Sequence, residues 1–162
     1  FFHHLSVADA KEWSAAWVTG NYVVFSISIV TTSLTAGPLI DRIGAVRLVP
    51  FMLVPLTLAM FAIGWGQHPL WVLPYFILAG ASSGLSMTAV AAMWPELYGT
   101  GHLGPIKSLV ASLGVFASAL GPLIMGSLLD FGFSIGVICY IFATTTMLGT
   151  ASMYTAYRLA RS

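Results

Sequence analysis

Charge is the scarcest property of this chain: only 7% of its 162 residues are Asp, Glu, Lys or Arg, where an ordinary soluble domain carries about 25%. A conventional water-soluble globular protein is thereby excluded. Six Lys/Arg against five Asp/Glu leave a formal charge of +1, so no basic field exists to hold a phosphate backbone and no nucleic-acid partner is expected. The single cysteine, Cys139, can build neither an internal disulfide nor a zinc cage, which removes disulfide-stapled secreted domains and structural-metal domains. No metal or other cofactor is expected. The chain also lacks an initiating Met and opens on Phe1, Phe2, His3 and His4, without the charged start of a signal peptide, and reads as a piece of a longer protein.

What is present in abundance is apolar surface, 58% of the residues. All the charges lie outside four runs: Trp13 to Ile40 (28 residues), Leu48 to Pro95 (48), Ser108 to Leu129 (22) and Phe131 to Tyr157 (27). Each run exceeds the roughly 18 residues at which a membrane span is suspected. A charged side chain at mid-bilayer costs about 2.5 to 3.5 kcal/mol, so burial in lipid accounts for the missing charges. The longest run must hold two helices, because Gly64-Trp65-Gly66-Gln67-His68-Pro69 supplies a helix-ending Gly, polar residues and a breaker. The expected architecture is all-α: a polytopic transmembrane bundle over residues 14–158 with spans at about 14–36, 48–65, 70–94, 108–129 and 133–157. Residues 1–13 read as the end of a preceding helix and its outer loop, and 159–162 as a tail.

The basic residues set the expected orientation. Arg42, Arg47, Lys107, Arg158 and Arg161 fall on one side and only Lys11 on the other, which by the positive-inside rule puts the C-terminus in the cytoplasm and the His68 and Asp130 turns outside. Trp13, Trp17, Trp65, Trp71 and Trp94 all stand near span ends, as aromatic belts do, although Trp is also a packing residue.

Gly37-Pro38-Leu39-Ile40-Asp41-Arg42-Ile43-Gly44 occupies the expected first cytoplasmic loop, with adjacent opposite charges between two glycines that permit a tight corner. On composition alone Arg42 could be no more than a topogenic charge. The run nevertheless resembles the G-x-x-x-D-R-x-G signature of the major facilitator superfamily, found between the second and third helices of each six-helix half, with Gly37, Asp41, Arg42 and Gly44 matching. The family pattern continues with two basic residues, where this chain has Ala45 and Val46 and recovers one charge at Arg47. Pro95-Glu96, with the following Tyr98 to Pro105, carries a second resemblance at the end of a later span. The likeness covers the whole chain and implies five complete spans similar to helices eight to twelve of a transporter, after the outer end of helix seven. It implies transport of a small solute by an integral protein of the plasma (cell inner) membrane, without naming the solute, with an absent N-terminal half as the main partner beside the lipid.

Asp41 and Glu96 lie at the same expected membrane face with Arg42 as their nearest counter-charge, which suggests a cytoplasmic ion-pair latch. Such a latch matters only if it is made in one conformation and broken in another. In the first complete span, Trp17, Asn21, Ser28, Thr32 and Thr35 fall within an arc of roughly 60° at 100° per residue. Intramembrane polar stripes face a bundle interior or a water-filled cavity, so Asn21, Ser28 and Thr32, with Ser112 of the fourth span, are candidates for the solute pathway. Hydrogen bonding between helices, or back to the helix's own carbonyls, is the competing reading. Gly80-x-x-x-Gly84 and the Gly114 to Gly121 face of the fourth span read as close helix packing.

Two further readings come from other classes. Gly80-Ala81-Ser82-Ser83-Gly84 formally matches the serine nucleophile elbow, but no His falls at serine depth to serve as base, so the chain is not read as an enzyme. A polytopic subunit or receptor that transports nothing would need only helix packing and positive loops. His3 and His4 could titrate near neutral pH and take part in proton coupling.

Overall fold

The computed structural model describes residues 4–101 and 103–159. Phe1, Phe2, His3, His102 and Arg161 lie outside the described residues. Every regular element among the described residues is helical. A short α1 (His4–Ala10) and α2 (Ala15–Gly20) lead into α3 (Tyr22–Ile43); a four-residue α4 (Ala45–Leu48) and a 3₁₀ turn (Val49–Phe51) precede α5 (Val54–Trp65); another 3₁₀ turn (Pro69–Trp71) opens α6 (Val72–Tyr98); and α7 (Leu103–Asp130) and α8 (Ile135–Leu159) complete the chain.

Among the described residues, five stretches are long and apolar enough to cross a bilayer: Ala15–Ile43, Ala45–Trp65, Pro69–Tyr98, Leu103–Asp130 and Ile135–Leu159. They run past the expected spans, most at the end where the Asp-Arg motif lies. Residues 37–43 are the last turns of α3, with Pro38 inside the helix, rather than a loop. A helix need not stop where the hydrocarbon ends, because its backbone bonds close internally wherever side chains tolerate the medium. What does stop α3 is Gly44, at φ +87°, a conformation open to Gly because it carries no Cβ. Gly99, at φ +69°, ends α6 in the same way.

The helices pack as two close pairs with α6 between them. Along α3 and α6 the backbones nearly touch: a Cβ on Gly80 would stand 2.6 Å from the Phe25 carbonyl oxygen, and one on Gly84 would stand 2.5 Å from that of Ile29. Ser28 Oγ then reaches the Ile77 carbonyl at 2.6 Å and Ser33 Oγ the Gly84 carbonyl at 3.3 Å. Without a hydrophobic drive between helices in lipid, small residues and interhelical hydrogen bonds hold such a contact. The second pair is α5 with α8, where Gly64 faces Cys139, Gly136 faces the Gly64 carbonyl, and the Thr57 and Thr146 hydroxyls bond at 2.9 Å. Ser82 Oγ joins α6 to the start of α5 by donating to the Met52 carbonyl at 2.7 Å.

The outward faces match a lipid solvent. On α3, Val23, Ile27, Val30 and Leu34 are all more than half exposed, and at 100° per residue they form one stripe opposite the polar one. None of the described side chains of α7 is buried, so this helix presents nearly its whole circumference. The buried core lies where α1 and α2 meet α5, α6 and α8: Ala8, Trp13, Val18, Ile63, Val72, Phe76, Ile135 and Cys139.

Candidate functional site: two cavities and the contacts that frame them

One cavity of about 410 Å³ lies along the last turns of α3, lined by Thr32, Thr35, Ala36, Pro38, Leu39 and Arg42 with Leu85 of α6. The polar stripe of α3 thus opens, at Thr32 and Thr35, on a cavity that Arg42 also lines. The stripe divides further up. Ser28 is turned to α6 by its bond to Ile77, and Asn21 sits at the junction of α2 and α3, its side-chain amide donating to the Trp17 carbonyl at 2.7 Å. Trp17 donates its indole N–H to the Pro69 carbonyl at 3.0 Å. Ser112 is exposed on α7 and donates back to the Ser108 carbonyl at 2.9 Å.

The corner between α3 and α4 is closed by Glu96. Its Oε2 accepts the Ala45 N–H at 2.7 Å, and its Oε1 would stand 3.0 Å from a Cβ on Gly44. The carboxylate therefore caps the first free N–H of α4, where the helix dipole favours negative charge. The tie from α6 to the Asp-Arg corner runs from carboxylate to backbone, while the Asp41 and Arg42 side chains are exposed beside it. Gly44 fits because a side chain there would meet both a positive φ and the Glu96 oxygen. Gly37, by contrast, has no atom within 4 Å of where its Cβ would be.

The chain that carries this corner can now be placed. Residues 4–161 match the family model described as Major Facilitator Superfamily. The chain belongs to the major facilitator superfamily. No curated protein and no solved structure matches it. Membership makes it part of a transporter, and the apolar helices make that an integral membrane protein.

A second cavity of this facilitator chain, about 430 Å³, lies between α5, α6, α7 and α8 with α1 at one end. Its wall is almost wholly apolar, including Leu56, Met60, Ile63, Phe76, Met125 and Phe142, with the hydroxyls of Ser118 and Thr146 and the Cys139 thiol among them. Gly121 lines it too, and neither Gly121 nor Gly114 has an atom within 4 Å of where a Cβ would stand. At one end His4 bonds two phenols, Tyr22 through Nδ1 at 3.1 Å and Tyr75 through Nε2 at 2.7 Å. Phe76 meets the imidazole edge to face at 5.4 Å. Burial pushes this imidazole down from its ordinary value. Ser82, the serine of the G-x-S-x-G match, is buried and bonded to Met52 within a helix.

Near the same end three side chains take three carbonyls of one turn. Lys11 Nζ donates to Gly66 at 2.6 Å, the Trp13 indole to Gln67 at 3.0 Å and the Trp17 indole to Pro69 at 3.0 Å. The Lys11 ammonium also stands 5.3 Å from the Trp13 ring centroid, and burial holds it below its ordinary value. Sequence reasoning missed this strap and the His4 cluster. The Trp positions were visible as belt residues, but which carbonyl an indole meets depends on two turns more than 50 residues apart.

Proposed function

We propose that this chain forms most of the C-terminal half of a secondary transporter that moves a small solute by alternating access. The absent N-terminal half completes the binding site at the interface, in the manner of repeat-built transporters. The observation that carries this reading is the polar face of α3, where Thr32 and Thr35 share a cavity with Arg42 in a helix otherwise clad for lipid. In that position Thr32 offers a hydroxyl to the passing solute, and the guanidinium favours anionic or carbonyl-bearing groups near the exit. Asn21, Ser28 and Ser112 mark the rest of the wall, reaching it in conformations where their present backbone bonds are exchanged. The positive side, with Arg42, Arg47 and Arg158, faces the cytoplasm, and the Glu96 cap with Asp41 and Arg42 biases the inward-closed state.

The experiment is uptake of a solute panel by the full-length protein in proteoliposomes. Thr32→Val, which keeps shape and removes the hydroxyl, is expected to raise KM for the transported solute about 5- to 13-fold, the loss of one neutral hydrogen bond of about 1 to 1.5 kcal/mol. Transport with an unchanged KM removes Thr32 from the pathway. Absence of any carrier-dependent flux across the panel favours the non-transporting subunit instead.

A further inference from the structure

We infer that the exposed side of the α5–α8 pair is a binding groove for one anionic phospholipid, with its headgroup between Arg47 and Arg158 and an acyl chain laid between the two helices. The inference rests on residence in the bilayer and is independent of the solute carried. Its wall is built by two exposed stripes. On α5, Val54, Leu58 and Phe61 are exposed and at 100° per residue fall within an arc of about 60°. On α8, Tyr140, Met147 and Tyr154 are exposed and fall within about 40°. The stripes are neighbours, because ring pairs bridge them at both ends: Phe61 meets Tyr140 with centroids 5.9 Å apart, and Phe51 meets Tyr154 at 6.0 Å. From Phe51 to Phe61 the helix rises about 15 Å, which is the depth of one leaflet in a hydrocarbon core of about 30 Å. α6 separates this pair from α3, so the groove is no part of the wall that α3 offers to a solute.

One end of the groove is positively charged. Gly64 meets Cys139 and Thr57 meets Thr146, so α5 and α8 run antiparallel. Arg158 follows Tyr154 by one turn of α8, about 40° round the axis, and Arg47 precedes Phe51 by four residues. Both arginines therefore lie past the Phe51–Tyr154 pair, where the hydrocarbon ends. Both are exposed, and among the described residues no hydrogen bond or ion pair occupies either side chain. The carboxylates are placed elsewhere. Asp9, Glu12 and Asp130 lie toward the opposite end of the bundle and Asp41 lies in the last turn of α3. Glu96 is bonded to the Ala45 N–H, and Ala45 is about 200° round α4 from Arg47.

Charge decides the occupant. A guanidinium presents a planar fork to phosphate oxygens, and basic pockets between membrane helices take anionic headgroups. A zwitterionic lipid would bring its cation to a place with no carboxylate to meet it. A second copy, related by a two-fold axis along the membrane normal, would set arginine against arginine.

Photolabelling of the full-length protein in phosphatidylcholine nanodiscs tests this, with a trace of phosphatidylglycerol or of phosphatidylcholine carrying the same diazirine-bearing acyl chain. Peptides covering α5 and α8 are expected to label about 25-fold more with phosphatidylglycerol, about fivefold for each arginine. Arg47→Gln or Arg158→Gln alone is expected to reduce that preference to about fivefold, and the double variant to remove it. Lys107→Gln, which takes a charge from the start of α7 outside the groove, is expected to leave it intact. Equal labelling by the two lipids, or a preference that survives the double variant, overturns the site. A preference that Lys107→Gln removes as well reports only the potential of that membrane face and overturns it too. Groove peptides that label with neither lipid, while two copies crosslink through α5 and α8, overturn it in favour of a second chain.

Discussion

Gly80→Ala is the most direct probe of how the bundle is held. The added methyl group would stand 2.6 Å from the Phe25 carbonyl oxygen and 2.7 Å from Ser28 Cβ, against about 3.5 Å for a comfortable carbon contact. Because the Phe25 oxygen belongs to a helix backbone, no rotamer can relieve the clash, and α3 must move away by most of that difference. Moving it also stretches the 2.6 Å bond from Ser28 to Ile77. Overpacking of this kind costs about 1 to 3 kcal/mol, and loss of the interhelical hydrogen bond adds about 0.6 kcal/mol in a membrane. Against this, Ala in place of a helical Gly gains about 1 kcal/mol in propensity, so a net loss of about 0.6 to 2.6 kcal/mol is expected. Gly126→Ala on α7, with nothing within 4 Å of the new carbon, is the control and should be neutral or slightly stabilising. The assay is thermal unfolding of the full-length protein in detergent, followed by fluorescence. If Gly80→Ala melts with or above Gly126→Ala, the close approach of α3 and α6 is wrong.

Two further outcomes follow from single contacts. Glu96→Gln keeps an acceptor for the Ala45 N–H but removes its charge, so it should weaken the cap by about 0.5 to 1 kcal/mol, while Glu96→Ala should cost about 1 to 2 kcal/mol; equal stabilities of both variants and the natural protein in the same melting assay would show that the cap contributes nothing. Thr57→Val leaves the Thr146 hydroxyl bonded to the Ala143 carbonyl, so the loss of the α5 to α8 bond should cost only about 0.6 kcal/mol, and a loss above about 2 kcal/mol would show that Thr57 does more than pair with Thr146.

The legible part of this protein was one-dimensional. A charge either falls in a long run or it does not, and the runs place five spans before any coordinate is known, because the cost of a charge in hydrocarbon is paid residue by residue. The Asp41-Arg42 corner was legible in the same way, as a short pattern fixed by neighbours in sequence. The span ends were less so: α3 continues through Ile43 and α6 through Tyr98, since leaving the hydrocarbon does not oblige a helix to end. Gly80 and Gly84 announce a close contact, but their spacing does not say that the neighbour is α3.

Hydroxyl groups show the limit most sharply. Ser28 and Thr32 stand one turn apart on the same face and read alike, yet Ser28 is bonded to α6 while Thr32 opens on the cavity beside Arg42. Periodicity supplies an angle around the helix axis; which neighbour stands at that angle, and how near, depends on how α3 and α6 cross. The same holds for Glu96, whose charge suggested a partner in Arg42 and whose oxygen reaches the Ala45 N–H, and for His4, whose two phenols come from residues 18 and 71 positions away. Sequence alone determined the solvent, the number of crossings and the family pattern, since each depends on composition along the chain. Tertiary structure decided which polar groups are satisfied by neighbouring helices and which stand in open space, because hydrogen bonds reach only about 3 Å and that distance is set by packing.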